Sequence, residues 1–392
     1  MRRLSDALRR RKGRPPGPLL SVVIPVYNVE RYVADCVESL LAQSFLDYEA
    51  ILVDDGSSDL SLRIVERYAA EDPRLRVVHQ PNAGLGAARN RGVSEARGEF
   101  LTFLDSDDML VPGAYETMMS TLLRTGSDMV VGTLKRDHRG QQTITPLMRQ
   151  NHSARRERLT LADMPLMLAD VFATNKVYRR RFWDTAGLQF PRGIRYEDQP
   201  TLTRAFVKAR RFDVIPEVVY LWRVRDDGTS ITQGRHQLND LLDRVESKRI
   251  STELVREASR PELDDVWFRD VLPVDMWEYF RAAVSSDDHY WEALRGAMSS
   301  FWSDDTVPFE LTRTPVQQRL MGWLVDHDRR EDLQRLISFV DANRGDFQLR
   351  VEDDLVFARV PGGGDGASVV VPRSVFHVHE HERRWSDPGA LR

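Results

Sequence analysis

The stretch Phe100-Leu101-Thr102-Phe103-Leu104-Asp105-Ser106-Asp107-Asp108 joins a mostly apolar run to three carboxylates within four positions. The run reads as a buried strand. In a parallel sheet such a strand delivers the residues after it to the carboxyl edge, where open α/β folds bind ligands. A turn after the strand lets Asp105 and Asp107 converge on one site. That suits a hard divalent cation, which takes a few carboxylate oxygens together with phosphate oxygens of a substrate. Taken alone, the same pattern also describes a solvated acidic loop, since Asp is common in turns.

The flanking segments decide between these readings. Leu19 to Tyr27 forms a first strand, and Tyr32, Val33, Cys36, Val37, Leu40 and Leu41 recur at helical spacing within residues 30–44. Glu49 to Val53 is a second strand, followed at once by Asp54-Asp55-Gly56-Ser57-Ser58-Asp59. The next helix buries Leu60, Ile64, Val65 and Tyr68. Leu75 to His79 is a third strand, leading to Pro81-Asn82-Ala83-Gly84-Leu85-Gly86-Ala87-Ala88-Arg89-Asn90-Arg91-Gly92. Two glycines ahead of an alanine-rich helix let backbone approach a ligand, and a helix N-terminus favours an anion. A helix near 112–124 and a fifth strand over Asp128 to Thr133 complete the series. The alternation of strand and helix calls for right-handed crossovers and a mainly parallel sheet. A polar cluster follows a strand each time.

Ser21-Val22-Val23-Ile24-Pro25-Val26-Tyr27-Asn28, Val53-Asp54-Asp55-Gly56-Ser57, Asn82-Ala83-Gly84 with Ala88-Arg89-Asn90, and Leu104-Asp105-Ser106-Asp107-Asp108 together resemble glycosyltransferase family 2 over residues 19–135. The resemblance implies an α/β GT-A fold: a Rossmann-like, mainly parallel sheet with helices on both faces. It also implies an inverting transferase that uses nucleotide-diphosphate sugars, with a UDP-sugar as the expected donor. By the same resemblance Pro25 and Tyr27 border the nucleobase, Asp55 accepts from its ring N–H, and Asp54 supports that loop. Asn82 lies near the base, Arg89 pairs with the diphosphate, Asp105 touches the ribose, and Asp107 holds Mn²⁺ or Mg²⁺. A guanidinium suits the diphosphate because it binds two oxygens at once.

Further along, the polar stretch 135–160 reads as a mobile loop over the donor site. Ala173-Thr174-Asn175-Lys176-Val177-Tyr178 precedes Phe182-Trp183, and Phe190 to Gln199 comes next. Glu197-Asp198-Gln199 resembles the acidic triplet that many relatives place beside the acceptor. An inverting transfer needs one carboxylate to take the acceptor hydroxyl's proton, assistance worth about 10²–10⁴-fold. Asp198 is the expected base, with Glu197 orienting the acceptor or the base. The competing reading makes both carboxylates an N-terminal cap for a helix over 199–210, where negative charge is favoured anyway. Val218 to Arg225 is a further strand, followed by Gly228-Thr229-Ser230-Ile231-Thr232. Many relatives carry a metal-ligating histidine here. Arg225 stands in its place, so Arg223 or Arg225 could neutralise the diphosphate directly. This ending is most like bacterial wall-polymer or capsule glycosyltransferases.

The rest of the 392-residue chain carries fewer signals. Leu238, Leu241, Leu242 and Val245 form one helical stripe, and Leu333, Leu336, Ile337 and Val340 another. Trp267, Trp277, Trp291, Trp302 and Trp323 read as core residues. Leu349 to Val360 and Ser368 to Val378 suggest two strands about Gly362-Gly363-Gly364-Asp365-Gly366. His377, His379 and His381 alternate as on a solvated strand face. The expected domains are a disordered basic arm over 1–18, a GT-A domain over 19–235, a helical region over 236–345 and a small β tail over 346–392.

A net charge of -4 argues against a nucleic-acid partner. The single Cys36 excludes an internal disulfide and agrees with a reducing compartment. No apolar h-region follows the basic residues near the start, so a secretory signal is not expected and a cytoplasmic location is. Peripheral contact with an anionic membrane through the basic arm stays open, each Lys or Arg there contributing only about 1 kcal/mol. Homo-oligomerisation also stays open. The expected partners are thus a nucleotide-diphosphate sugar and a glycan, wall-polymer or lipid-linked acceptor. The alternative is a catalytically silent nucleotide-sugar-binding or assembly protein of the same fold. A Rossmann dehydrogenase is the weaker rival, because Pro25-Val26-Tyr27-Asn28 lacks the glycines that it needs straight after the first strand.

Overall fold

β1 (Leu20–Val26) is buried along its whole length, as a strand covered on both faces must be. A computed structural model describes residues 17–225, 234–343, 348–352, 355–359 and 371–378. The chain forms two compact units that divide after residue 230. In the first, β1 is followed by α1 (Val33–Leu41), β2 (Tyr48–Asp54), α2 (Ser61–Glu71), β3 (Leu75–His79), α3 (Leu85–Glu95) and β4 (Phe100–Phe103). These strands lie in the order β3-β2-β1-β4 and all pair in parallel.

Both faces of this parallel half are covered, and β2 shows how. Ala50 and Leu52 join one core with Val33 and Cys36 of α1 and Val65 of α2. Ile51 and Val53, pointing the other way, pack with Ala88 of α3. Gly92 lets α3 lie directly on β1, because a Cβ there would come within 2.2 Å of Val23 Cγ1.

β5 (Met109–Leu110), α4 (Ala114–Thr125), β6 (Met129–His138), β7 (Gln141–Thr143), α5 (Pro146–Asn151), β8 (Arg156–Leu159), β9 (Lys176–Arg179), α6 (Arg180–Thr185), α7 (Asp198–Lys208) and β10 (Phe212–Arg223) extend the unit. The sheet continues from β4 as β9-β6-β10-β5. β9 runs antiparallel to both neighbours, whereas β6 and β10 are parallel.

Residues 135–160 are not the loop their polarity suggested. β6 runs on to His138 and turns into β7, α5 starts at Pro146 with Thr145 Oγ1 accepting from Met148 N–H, and β8 pairs with β10. The polar composition has a simple cause. Beyond Leu134 the strand alternates between half-buried and exposed residues, so it records a solvated sheet face. β10 likewise begins at Phe212, well before Val218, and Pro216 interrupts its pairing with β6 between Val214 and Val218. A proline without a ladder N–H hides such continuity in the sequence.

The second unit holds α8 (Leu238–Glu257), α9 (Pro261–Val266), α10 (Met276–Ala283), α11 (Asp288–Phe301), α12 (Val316–Asp326) and α13 (Arg330–Ala342). Trp267, Trp291, Trp302 and Trp323 are buried, while Trp277 is 36% exposed. The stripe expected on α8 is only partly its inner face: Leu241 is buried, but Leu242 is 47% exposed. The helix instead buries Asp240, Arg244 and Lys248, each with a partner. Tyr279 OH donates to Asp240, Arg244 pairs with Asp275 at 2.8 Å, and Lys248 Nζ donates to the carbonyls of Leu272 and Val274.

The expected tail is corrected too. β11 (Gln348–Glu352) and β12 (Leu355–Arg359) pair antiparallel where the first expected strand, Leu349 to Val360, was a single run. Arg373–Phe376, inside the second, is a 3₁₀ turn. The glycine cluster 362–366, His379, His381, residues 1–16 of the basic arm and Gly228 to Thr232 lie outside the described residues. Among the described residues no helix is long and apolar enough to cross a membrane.

Candidate active site

The carboxyl ends of β1, β2 and β4 share one rim of the sheet. At the end of β1, Pro25 is buried and Tyr27 is 49% exposed. Asn28 takes a positive φ of 49°, and its Oδ1 accepts from Ser58 N–H at 2.8 Å, so the turn beyond Tyr27 is pinned to the loop after β2. In that loop Asp54 and Asp55 are both buried. Asp54 Oδ2 pairs with His79 Nδ1 at 2.7 Å, and Oδ1 accepts from Ser57 N–H. Asp55 accepts from Ala83 N–H and Gly84 N–H, both at 2.9 Å, and from Gln80 Nε2 at 2.7 Å. It therefore ties the β2 loop to the segment entering α3. Asn82 is exposed beside Gly56, where a Cβ would meet Asn82 N at 2.9 Å; Gly56, at φ 74°, permits that approach.

Arg89 leaves the second turn of α3 and is only 1% exposed. Its guanidinium faces three carboxylates: Asp105 at 2.8 Å, Glu197 at 2.5 Å, and Asp198 in a short contact. α3 is aligned for this by Asn90, whose side-chain amide exchanges two hydrogen bonds with the backbone of Phe190. Gly86 also lets the helix touch the segment leading to Glu197, since a Cβ there would sit 2.3 Å from Pro191 O. Glu197 and Asp198 do stand at the start of α7, but neither side chain caps it. They turn to Arg89 instead, and Asp198 Oδ2 accepts from Ala173 N–H at 3.2 Å. Burial pushes Glu197 up to about 7, with Asp198 adding to the rise and Arg89 opposing it. Burial likewise raises Asp198, again against the pull of Arg89.

Beyond β4, Asp107 pairs with Arg225 Nε at 2.7 Å. Burial raises Asp107, Arg225 holds it down, and Asp105 adds repulsion. Arg223 pairs with Asp35 at 2.9 Å, and the Tyr32 ring lies 5.3 Å from each guanidinium. Asp108 is buried and structural in its contacts, accepting from Tyr220 OH and Arg223 N–H, both at 2.7 Å. Burial and its acidic neighbours raise it well above the usual carboxylate range.

The structure thus joins Arg89, Asp105, Glu197 and Asp198 in one ion network, and Asp107 with Arg225 in another on the same strand end. Pro25, Tyr27, Asp54, Asp55 and Asn82 gather at the neighbouring β1 and β2 ends. Among the described residues, no group of three or more His, Cys, Asp or Glu could hold a metal by itself. The Asp107 carboxylate still fits a cation whose shell is completed by substrate, because Mg²⁺-like ions are held by one or two carboxylates plus phosphate oxygens. Sequence reading missed His79, Gln80 and Tyr220, whose partners lie 25 residues or more away. It also missed a buried group of His152, Asp170 and Lys176 behind Asp198. The only signal for the last was a lysine placed among apolar residues at Asn175-Lys176-Val177-Tyr178.

The model of Glycosyl transferase family 2 matches residues 21–185. GlyG of Streptococcus pneumoniae serotype 4, named a glycosyltransferase, is 32% identical over 244 residues, covering 59% of this chain and 80% of GlyG. EpsJ of Bacillus subtilis strain 168, named an uncharacterized glycosyltransferase, is 34% identical over 225 residues. That match takes in 55% of this chain and spans 63% of EpsJ's length. The crystal structure of S. aureus TarS 1–349 in complex with UDP-GlcNAc aligns with a TM-score of 0.65 at 19% identity, covering 90% of this chain and 100% of that one. The likeness to TarS is one of fold, the GT-A arrangement.

Proposed function

Because this chain belongs to glycosyl transferase family 2, we propose that it transfers a sugar, with inversion, from a UDP-sugar to a glycan, wall-polymer or lipid-linked acceptor. The observation that carries this reading is Arg89, whose one guanidinium touches both Asp105 at the end of β4 and the Glu197–Asp198 pair. Donor-side and acceptor-side carboxylates are thereby held within one side chain's reach.

In this reading Tyr27 offers a flat face to the nucleobase, and Asp55 shapes the loop on which Asn82 sits. Asp105 faces the ribose. Asp107 would hold Mn²⁺ or Mg²⁺, which when bound offsets charge on the leaving diphosphate. Arg225, already paired with Asp107, adds a second cation there and hydrogen-bonds phosphate oxygens. Asp198 takes the proton of the acceptor hydroxyl as the new bond forms. Burial raises its pKa, the direction that strengthens a carboxylate as a base. Glu197 and Arg89 hold Asp198 in place. The curated relatives' names and the UDP-GlcNAc in the TarS crystal support a nucleotide-sugar donor of this kind.

The test is a panel of UDP-sugars, UDP-N-acetylglucosamine included, with Mn²⁺, read by thermal shift and by UDP release. At least one donor should stabilise the protein and release UDP. Asp107→Ala should abolish metal-dependent UDP binding. Asp198→Asn should lose at least about 10²-fold in turnover while binding UDP within a few-fold of the parent. Saturable UDP binding with neither transfer nor hydrolysis would instead favour the silent binding protein.

A further inference from the structure

Behind Asp198 lies a buried ion pair to which no role in the reaction has been given. Lys176, the first residue of β9, is 0% exposed. Its ammonium donates to Asp170 Oδ1 at 2.6 Å, Phe172 O at 2.6 Å and Asn175 Oδ1 at 2.8 Å. The other Asp170 oxygen pairs with His152 Nε2 at 2.9 Å. Asn175 is itself fastened to β6, donating from Nδ2 to Gly132 O at 2.8 Å and accepting Gly132 N–H on its carbonyl. These contacts fix both ends of the segment 170–176. At its centre Ala173 N–H donates to Asp198 Oδ2.

Holding a loop does not require a buried charge pair, since apolar side chains of similar volume do so at least as well. The charge has a second use here. Asp198 is faced by Arg89 from α3, by Asp105 from β4, by Glu197 from its own helix, and by Lys176 and Tyr178 from β9. Lys176 in turn is faced by Asp170, which also meets His152 from the end of α5. One guanidinium thus serves three carboxylates, and Lys176 is a further cation that acts on Asp198.

We propose that Lys176, held by Asp170, is a positioning residue: it aims the Ala173 N–H at Asp198 and supplies positive charge that favours the carboxylate form of this side chain. The proposal rests on the reading of Asp198 as the base. Burial pulls the ammonium toward neutrality and Asp170 opposes it. Burial also raises Asp170, but Lys176 and His152 outweigh it and bring it down to about 2.

The experiment tracks the ionisation of Asp198 directly, using protein labelled with ¹³C in aspartate carboxyl groups. The signal lost in Asp198→Asn identifies the base. Lys176→Met should move its titration midpoint up by about one pH unit, and Lys176→Arg should bring it back. UDP affinity, measured by calorimetry, should stay within about threefold in each variant, because nucleotide contacts lie on other strands. Turnover in Lys176→Met should fall through kcat by about 10-fold or more with little change in donor KM. If Lys176→Met does not fold, the double variant Asp170→Asn/Lys176→Met, which removes both charges of the pair, is read for a smaller rise in the same direction, because Lys176 and not Asp170 acts directly on Asp198. An unchanged midpoint in a folded variant, or UDP affinity lost in step with turnover, would overturn the proposal. Transfer surviving in Asp198→Asn would instead overturn the base assignment, whatever the Lys176 variants show.

Discussion

Replacing Arg89 by Met would leave Asp105, Glu197 and Asp198 facing one another without the guanidinium that now contacts all three. Breaking a buried pair by removing one partner costs about 3–5 kcal/mol, because the remaining charge is uncompensated. The loss must depend on pH. Even with Arg89 present, Glu197 is raised to about 7 in the folded protein, against about 4.3 in an unfolded chain. A carboxylate raised in this way contributes stability that is fully present below the unfolded value and is lost as pH climbs through the folded one. At 1.36 kcal/mol per unit this single group costs roughly 3–4 kcal/mol above pH 7. Without Arg89 both Glu197 and Asp198 move higher still, so the cost of the substitution grows with pH. Urea unfolding followed by circular dichroism should show Arg89→Met less stable than the parent by about 3–5 kcal/mol at pH 8.5. At pH 5, with Glu197 largely protonated, the gap should shrink to less than about half. Adding Glu197→Gln and Asp198→Asn should restore much of the loss at pH 8.5. Equal destabilisation at both pH values would refute this account, since the guanidinium would then act by packing alone. So would a loss below about 1 kcal/mol, the scale of an exposed pair.

Tyr27→Ala should weaken UDP binding by about 1–3 kcal/mol, the worth of a base–aromatic stack, yet change stability by less than about 0.5 kcal/mol because the ring is exposed; calorimetry and thermal melts separate the two. Arg225→His should weaken UDP binding in EDTA by about 1.5–3 kcal/mol through loss of a charged donor and should tighten Mn²⁺ binding, read by electron paramagnetic resonance, by adding an imidazole beside Asp107. Unchanged affinity in EDTA would remove Arg225 from the diphosphate. Burial brings Lys248 down to about 7, with Arg244 adding and Asp275 opposing, so between pH 7 and the unfolded value of about 10.4 the unfolded chain binds more protons and stability rises with pH. Lys248→Met should flatten that rise in melting temperature; an unaltered slope would show that this ammonium does not titrate there.

The parallel half of the sheet was legible because it obeys local rules. β1, β2, β3 and β4 are apolar runs ended by polar clusters, and each cluster lands at the carboxyl edge. The inverted strand β9 was not legible, because Lys176 sits at its head and looks like a solvated residue until Asp170 and His152 are seen around it. The buried face of α8 failed for the same reason. Asp240, Arg244 and Lys248 count as polar in any periodicity, but each meets a partner supplied by another element. The stretch after Leu134 failed differently, since one wet face of a strand has the composition of a loop. Of the site, the residue types could be read and their partners could not. Nothing local to Arg89 announces its contacts with Glu197 and Asp198, 108 and 109 residues away.

That separation bears on how the site works as a unit. Asp105 ends β4, Arg89 rises from the helix before it, and Asp198 opens a helix reached only after the sheet has reversed through β9. Because β9 lies between β4 and β6, the segment that carries Ala173 N–H to Asp198 is anchored to the strand beside the one that presents Asp105. Asp198 is therefore held from two sides, by Arg89 across the parallel half and by the Ala173 N–H of the segment that leads into the inverted strand. In a network where one cation serves several carboxylates, neutralising any one of them changes the field at the others. Single substitutions at Asp105, Glu197 and Asp198 should accordingly fail to add, and the sign of their coupling reports which carboxylate Arg89 favours when a partner is removed.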